Sequence, residues 1–230
     1  LVEIVRRVSE LIRVCYVRQK EPLGLGHAVL AARHLVGDEP FAVLLGDDIL
    51  TDETPALRQM IRIHEAHRCA VMLVQRVPKS EVSRYGVIKG RKIDDGLYHI
   101  MDMVEKPDPD KAPSDLALIG RYILTPDLFP LLEGTASDRS GEIQLTNALK
   151  ALLKRKKTMI YALEFPGRWH DAGTVLGFLK TTVELALQRP DVAPEFQEFL
   201  RGLRLDPIDL RSGSVRDAHP RAGREKETAR

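Results

Sequence analysis

Apolar and polar positions alternate along this chain in blocks that predict helices and strands in turn. In LVEIVRRVSELIRV, the apolar residues at 1, 4, 5, 8, 11 and 12 have the period of an amphipathic helix that is already running at residue 1. The next blocks predict, in order, the strand CYVR at 15–18, a glycine loop that leads into a helix at 21–36, the strand FAVLL at 41–45, a helix after Thr54-Pro55, and the strand CAVMLVQRV at 69–77.

The second half of the chain begins with a different rhythm. YGVIKG and LYHIMDMVEK alternate around Asp94-Asp95-Gly96, which is a hairpin signal. Further strands (LALIGRYILT, TMIYALEF) then alternate with amphipathic helices (EIQLTNALKALLKRK, TVLGFLKTTVELALQR). The whole pattern predicts an α/β fold with a mostly parallel sheet and an inserted antiparallel patch.

Composition narrows the class of protein. The chain has 230 residues, of which 43% are hydrophobic and 30% are charged, enough for one sizeable globular domain. No apolar run reaches the ~18 residues of a membrane span and no secretion signal is visible, so we expect a cytoplasmic protein without a membrane partner. The 35 basic and 33 acidic residues nearly balance, which argues against a nucleic-acid partner.

Two further expectations concern the cysteines and the C-terminal segment. Cys15 and Cys69 each begin an apolar strand-like run and show no metal-binding spacing, so both are predicted to be core thiols. Residues 206–230 are polar and charged and are predicted to form a disordered tail, whereas residues 1–205 are predicted to form the folded domain.

Four short motifs carry candidate chemistry at predicted strand ends. The strand in FAVLLGDDIL ends at a glycine followed by Asp47 and Asp48, as at the carboxyl end of a covered strand that opens into a ligand crevice. LGLGHAV places glycines before a helix, where backbone can approach a ligand, although a turn that merely needs glycine explains it equally well. No GxxxxGK phosphate loop occurs anywhere in the chain.

The motifs VEKP and RWHDAGT add charged residues to this set. Pro107 predicts an extended Lys106, so that Glu105 and Lys106 point opposite ways and suit a ligand with hydroxyls at one end and phosphate at the other. A solvated charge pair is the alternative reading. Asp171 is predicted at a strand-to-helix turn, where it could also serve only as a helix cap.

In their order along the chain, these motifs resemble the bacterial UTP–glucose-1-phosphate uridylyltransferases. The resemblance extends from Gln19 to about Arg189 and rests on RQKEPLGLGHAV, GDEPFAVLLGDDIL, RYGVI, VEKP, LIGRYIL, GEIQLTNAL and WHDAGTVLGFLKTTVELALQR. It implies a Rossmann-like sugar nucleotidyltransferase that forms UDP-glucose and pyrophosphate from UTP and glucose 1-phosphate with magnesium.

The resemblance also implies roles for individual residues. Gln19 and Gly24 would contact the uracil edge, and Asp47 and Asp171 would bind magnesium. Gly86 would let the sugar lie against backbone, Glu105 would bind the glucose hydroxyls, and Lys106 would bind the sugar phosphate. The backbones of Ile119 and Gly120 would border the sugar pocket. Asp47 and Lys106 are the candidate catalytic residues. Asp48 is expected to support the turn by accepting backbone hydrogen bonds.

The chain also departs from the pattern of that family. Its members begin with a strand and a GxGTRxxP loop for the triphosphate, and neither occurs here, so we expect a partial domain whose turnover is poor. A thymidylyl- or adenylyltransferase for glucose 1-phosphate, or a non-catalytic sugar-nucleotide-binding module, stays open as an alternative. So does assembly into a homo-oligomer.

Overall fold

The computed structural model describes residues 2–138, 140–155 and 158–203. The segment predicted to be a disordered tail, 206–230, lies outside the described residues. The strands are β1 (Phe41–Leu44), β2 (Asp48–Thr51), β3 (Ala70–Arg76), β4 (Gly86–Asp94), β5 (Leu97–Glu105), β6 (Leu116–Leu124), β7 (Ile160–Glu164) and β8 (Arg168–Asp171).

Helices occupy most of the chain between these strands. The α-helices are α1 (Val2–Leu11), α2 (Leu25–Ala31), α3 (Arg33–Val36), α4 (Ala56–His67), α5 (Phe129–Glu133), α6 (Leu145–Leu153), α7 (Val175–Leu187) and α8 (Ala193–Gly202). Short 3₁₀ turns cover Lys79–Arg84 and Pro126–Leu128.

A six-stranded sheet in the order β1-β6-β3-β7-β5-β4 forms the centre of the fold, and β2 pairs with β8 in a separate two-stranded sheet. The α/β fold type is confirmed, but the predicted parallel character of the sheet needs correction. Among the described strands, β3 and β7 make the one parallel pair, and every other pairing is antiparallel. Strands β1 and β3, whose connection contains α4, run in the same direction, but β6 lies between them and runs in the opposite direction.

Both faces of the sheet are covered, which explains the continuous apolar runs in β3 and β6. Alternate residues of these strands enter opposite cores: Met72 and Leu118 pack with α2, α5 and α6, whereas Leu73 and Ile119 pack with α4. An apolar run therefore indicates a strand that is covered on both faces, but it does not indicate the direction of that strand.

The N-terminal segment departs from its prediction beyond the first helix. The predicted helix is present as α1, but residues 13–19 have no regular structure, so CYVR is not a strand. Cys15 is exposed rather than a core thiol, whereas Cys69 is buried as predicted. The segment CYVR has only four residues, and no described strand pairs with it, so it does not form a strand.

Within the described residues, the chain divides into two compact units on either side of a boundary after Thr181. The first unit contains both sheets and every predicted site residue. In the described part of the second, α8 stacks the rings of Phe196 and Phe199 with centroids 6.1 Å apart. Every helix among the described residues is too short or too polar to cross a lipid bilayer.

Candidate active site

A cavity of about 580 Å³ is lined by residues of both sheets and of the segments next to them. Its walls come from the β1–β2 turn, the adjoining ends of β4 and β5, the middle of β6, the start of α6 and the turn between β8 and α7. The predicted site residues that line it are Asp47, Gly86, Glu105, Lys106, Gly120 and Asp171.

The other predicted residues lie beside this cavity without lining it. The Gln19 side-chain amide donates to the Gly24 carbonyl over 3.2 Å, and Gly24 adopts a φ of 89° that favours glycine. Leu25, the next residue, does line the cavity, so the glycine loop borders it. Ile119 is only 1% exposed and its side chain enters the core on the α4 face.

Asp48 is engaged by hydrogen bonds from two other elements. Its Oδ2 accepts the Gly120 amide proton over 3.0 Å, and its Oδ1 accepts a hydrogen bond from Trp169 Nε1. Burial raises the pKa of the Asp48 carboxyl, the Trp169 hydrogen bond opposes that rise, and the charge of Asp47 adds to it. Asp48 thus accepts a backbone hydrogen bond as predicted, although the donor is on β6 and not in its own turn.

Hydrogen bonds from Arg121 attach strand β6 to the β1–β2 turn, which contains Asp47 and ends at Asp48. Its Nη1 donates to the carbonyls of Leu45 and Gly120 over 2.9 and 2.8 Å, and its Nη2 donates to the Asp48 carbonyl over 2.7 Å. The Leu45 amide also donates to the Gly120 carbonyl over 2.9 Å. The forked guanidinium thus donates to carbonyls on both sides of this close approach between the turn and β6.

Pairing of β2 with β8 places the β1–β2 turn, which contains Asp47 and ends at Asp48 and is called the acid turn below, next to Asp171. Asp48 and Asp171 are register partners, and the Ala172 amide donates to the Asp47 carbonyl over 2.8 Å. A β-carbon built on Gly173 would lie 2.8 Å from Asp47 Oδ2 and 3.2 Å from Asp171 Oδ1. The structure therefore brings the Asp47 and Asp171 carboxylates together beside Gly173, and their role as metal ligands stays a prediction.

Asp171 has further partners that the motif analysis did not assign. Arg84 Nη2 donates to Asp171 Oδ2 over 2.5 Å, and the Tyr85 hydroxyl donates to the same oxygen over 2.7 Å. Burial and the Asp171 hydrogen bond raise the pKa of Tyr85. The signal for both residues was their place directly before Gly86 in RYGVI.

Glu105 and Lys106 end strand β5 in a conformation that differs from the prediction. Lys106 has a φ of 44°, so it is left-handed rather than extended, and its amide donates to the Tyr85 carbonyl over 3.0 Å. That turn puts Glu105 and Lys106 on the wall of one cavity, and the preference imposed by Pro107 is overridden by the tertiary hydrogen bond. A non-glycine residue held at positive φ is a strained conformation, of a kind that clusters at functional sites.

The two side chains have different surroundings. Glu105 Oε2 accepts a hydrogen bond from Thr146 Oγ1 over 2.6 Å. Within the described parts of the chain, no hydrogen bond or ion pair engages the exposed Lys106 ammonium. The cavity thus offers one anchored carboxylate and one uncommitted cation.

Tyr122 also lines the cavity and was missed in the sequence. Burial raises the pKa of its phenol, and the negative charges of Glu105 and Asp48 raise it further, so the phenol is a neutral hydrogen-bond donor at neutral pH. It lies two residues after Gly120 in β6, and alternation along that strand could have indicated that both face the same side.

The donor set is compatible with magnesium but is not a closed metal cage. Among the described residues, no group of three or more His, Cys, Asp and Glu side chains could hold a metal ion. Magnesium, however, commonly takes one or two protein carboxylates and completes its octahedron with waters and substrate phosphates. Within the described part of the chain, Asp47 has no hydrogen bond to its carboxylate and Asp171 Oδ1 accepts only the Gly173 amide proton, over 2.9 Å, so both acids offer oxygens to such an ion.

Comparison with known proteins identifies the family. The sequence profile of the nucleotidyl transferase family matches residues 2–188. The chain is 44% identical over 203 residues to a UTP–glucose-1-phosphate uridylyltransferase of Bacillus subtilis, covering 88% of this chain and 69% of that protein. It is also 44% identical over 206 residues to UTP–glucose-1-phosphate uridylyltransferase 2 of Staphylococcus saprophyticus, covering 90% and 71%.

Solved structures agree with the sequence relatives. A UDP-glucose pyrophosphorylase complexed with UDP-glucose superposes with a TM-score of 0.78 at 43% identity over 82% of this chain and 72% of that one. A UTP-bound UDP-glucose pyrophosphorylase of Acinetobacter baumannii has a TM-score of 0.78 at 35% identity over 88% and 70%. A glucose-1-phosphate thymidylyltransferase of Bacillus anthracis, at 23% identity and a TM-score of 0.62, shares the fold alone. The chain belongs to the nucleotidyl transferase family, among its UTP–glucose-1-phosphate uridylyltransferases.

Proposed function

We propose that this protein transfers the uridylyl group of UTP to glucose 1-phosphate, forming UDP-glucose and pyrophosphate. The main support is one cavity that contains the Asp47–Asp171 carboxylate pair and the uncommitted ammonium of Lys106, in a chain of this family. The relatives named above catalyse this reaction by name, and the cavity is large enough for a sugar nucleotide, because ligand pockets of drug-sized molecules are about 300–1,000 Å³.

The chemistry requires positioning and charge neutralisation more than acid or base groups. A phosphate oxygen of glucose 1-phosphate attacks the α-phosphorus of UTP and forms a new P–O bond. The bond from that phosphorus to the oxygen bridging to the β-phosphate breaks, and pyrophosphate leaves with the electron pair. No proton has to move, since the attacking oxygen is already ionised at neutral pH, and the chain contributes mainly by holding the two substrates in line.

The residues of the cavity wall take the sugar phosphate in this proposal. Lys106 binds the phosphate of glucose 1-phosphate, and Glu105 accepts hydrogen bonds from the glucose hydroxyls. Gly86 leaves room for the sugar against the backbone, since a β-carbon there would lie 3.1 Å from Glu105 Oε2. The backbones of Ile119 and Gly120 border the same pocket.

The nucleotide and the metal occupy the two other walls. Gln19 and Gly24, which are hydrogen-bonded to each other at the rim, contact the uracil edge. Asp47 and Asp171 would hold Mg²⁺. Once bound, the cation would neutralise phosphate charge and relieve the repulsion between these two carboxylates.

The test combines binding with turnover. Pyrophosphate release is measured with glucose 1-phosphate, Mg²⁺ and UTP, dTTP or ATP, and titration calorimetry measures UDP-glucose binding separately from turnover. UTP should be preferred and UDP-glucose should bind. A preference for dTTP or ATP, or neither binding nor release, would overturn the proposal.

A pair of lysine variants tests the assigned cation. Lys106→Ala should weaken glucose 1-phosphate binding about tenfold or more, because a charge-assisted hydrogen bond is lost, while UTP binding is kept. Lys89→Ala removes another exposed lysine, on β4 and outside the cavity wall, and should change neither. Equal behaviour of the two variants would return Lys106 to an ordinary surface charge.

A further inference from the structure

The hydrogen bond between Thr146 and Glu105 joins the first turn of α6 to the last residue of β5. Thr146 is 8% exposed, yet both residues are on the cavity wall. Its Oγ1 donates to Glu105 Oε2 over 2.6 Å, and the other carboxylate oxygen, Oε1, has no hydrogen-bond partner among the described residues. One oxygen of Glu105 is therefore held, and the other is available to a ligand.

Thr146 is held in place by the packing of its own helix. One turn further along α6, Lys150 donates to the Met103 carbonyl over 3.1 Å and pairs with Asp102 over 2.9 Å, both on β5. Residues four apart lie on the same helix face, so Thr146 and Lys150 attach one face of α6 to one strand. Leu149 is fully buried in the core, which restricts any rotation of the helix.

Gly86 keeps the space in front of this hydrogen bond open. It is the register partner of Glu105 on the neighbouring strand. A β-carbon at this position would lie 3.1 Å from Glu105 Oε2 and 3.2 Å from Thr146 Oγ1. The absence of a side chain there leaves both oxygens accessible from the cavity.

The hydrogen-bonding capacity of this pair is directional. A carboxylate accepts hydrogen bonds and donates none, so the Thr146 proton must point at Glu105. The lone pairs of Thr146 Oγ1 and the free Oε1 of Glu105 can then only accept. The pair therefore matches ligand hydroxyls that donate, and it mismatches groups that only accept.

We propose that Thr146 is a positioning residue for sugar recognition: it orients Glu105 so that the pair accepts hydrogen bonds from donor hydroxyls of the hexose. This inference rests on the proposed function, and it adds a specificity determinant to it. A merely structural Thr146 would satisfy a half-buried carboxylate and affect stability, whereas a positioning residue controls the increment of affinity that the glucose unit adds to UDP.

Titration calorimetry of UDP-glucose and of UDP, on the wild-type chain and three variants, separates these roles. Thr146→Val should bind UDP-glucose about tenfold more weakly and UDP unchanged, because only the hydroxyl is lost. Thr146→Ser retains the hydroxyl and should stay within about threefold of wild type. Thr135→Val, which removes a hydroxyl bonded to the Leu131 carbonyl outside the cavity wall, is the matched control and should change neither affinity.

A second measurement needs no variant and remains decisive if Thr146→Val fails to fold. Analogues of glucose 1-phosphate with one hydroxyl replaced by fluorine cannot donate at that position. At least one of them should bind the wild-type chain about tenfold more weakly than glucose 1-phosphate.

The outcomes distinguish this inference from the proposed function. If wild type binds UDP-glucose no more tightly than UDP and ignores glucose 1-phosphate, both ideas are overturned. If wild type discriminates but Thr146→Val retains the full glucose increment, or all fluorinated analogues bind like glucose 1-phosphate, the role of Thr146 alone is overturned.

Discussion

The amide of Gly120 donates a hydrogen bond to Asp48 Oδ2 over 3.0 Å, although the two residues are 72 positions apart. This contact separates the roles of two adjacent acids. Asp48 is committed to the fold through Gly120 and Trp169, whereas Asp47 extends toward Asp171 beside Gly173. Both residues line the cavity, but Asp47 lies in the turn before β2 whereas Asp48 is the first residue of β2, so the two carboxylates meet different partners.

Replacing Asp48 should therefore cost stability. Asp48→Ala leaves the Gly120 amide and Trp169 Nε1 without their acceptor, and we expect the free energy of unfolding to fall by about 2 kcal/mol. Asp47→Ala is the control, since no hydrogen bond to its side chain occurs among the described residues, and it should leave stability unchanged or slightly higher as repulsion with Asp171 is relieved. Urea unfolding of both variants measures the difference, and equal losses would contradict this division of roles.

Arg121 should matter for stability more than an ordinary surface arginine. Arg121→Met removes donors to the Leu45 and Asp48 carbonyls at the β1–β2 turn and to the Gly120 carbonyl on β6, and we expect a loss of about 2 kcal/mol in the free energy of unfolding. Arg121→Lys should recover little, because an ammonium cannot reproduce the planar fork. The matched control is Arg91→Met on β4, whose exposed side chain makes no hydrogen bond or ion pair among the described residues. Similar losses for Arg121→Met and Arg91→Met would count against this role of Arg121.

Gly120 is expected to tolerate no side chain. A β-carbon there would overlap Asp48 Oδ2 and lie 2.6 Å from Leu45 Cβ, so Gly120→Ala must displace the acid turn. We expect a loss of about 3 kcal/mol in the free energy of unfolding. Gly46→Ala, in the same turn with nothing within 4 Å, is the comparison and should be nearly neutral. Thermal and urea unfolding would both have to show the same ranking.

The two cysteines should react with thiol reagents at very different rates. Burial raises the pKa of the Cys69 thiol to about 11, and a raised pKa means that little thiolate is present at about pH 8. Cys15 is exposed and should be modified first. Mass spectrometry after brief labelling should find one modified site, and the Cys15→Ser variant should then be unreactive until denaturant is added. Fast labelling of that variant without denaturant would show that Cys69 is accessible.

Local sequence pattern anticipated most of the helices and strands because these depend on near neighbours, although it did not indicate α8. The strands β3 and β6 were visible as apolar runs, since both of their faces are covered. Their relative direction was not visible, because the insertion of β6 between β1 and β3 depends on a pairing between distant segments. For the same reason CYVR resembled a strand, although the structure gives it no partner to pair with.

The conformation at Lys106 is a second case in which local sequence did not predict the structure. Pro107 favours extended backbone at the residue before it, yet the Lys106 amide is bonded to the Tyr85 carbonyl and the residue turns left-handed. A local preference of this size yields to a tertiary contact. The motif VEKP thus located a wall of the cavity but not the directions of its side chains.

The sequence alone predicted the family, the positions of the motifs and the acids beside the strand ends, because each depends on residues that are close together in the chain. Folding was needed to supply Asp48 with its donors Gly120 and Trp169. It was also needed to bring Arg84 to Asp171 across 87 positions and Thr146 to Glu105 across 41. Hydrogen bonds between such distant residues depend on how the strands and α6 pack, and packing is a property of the whole core rather than of any local stretch.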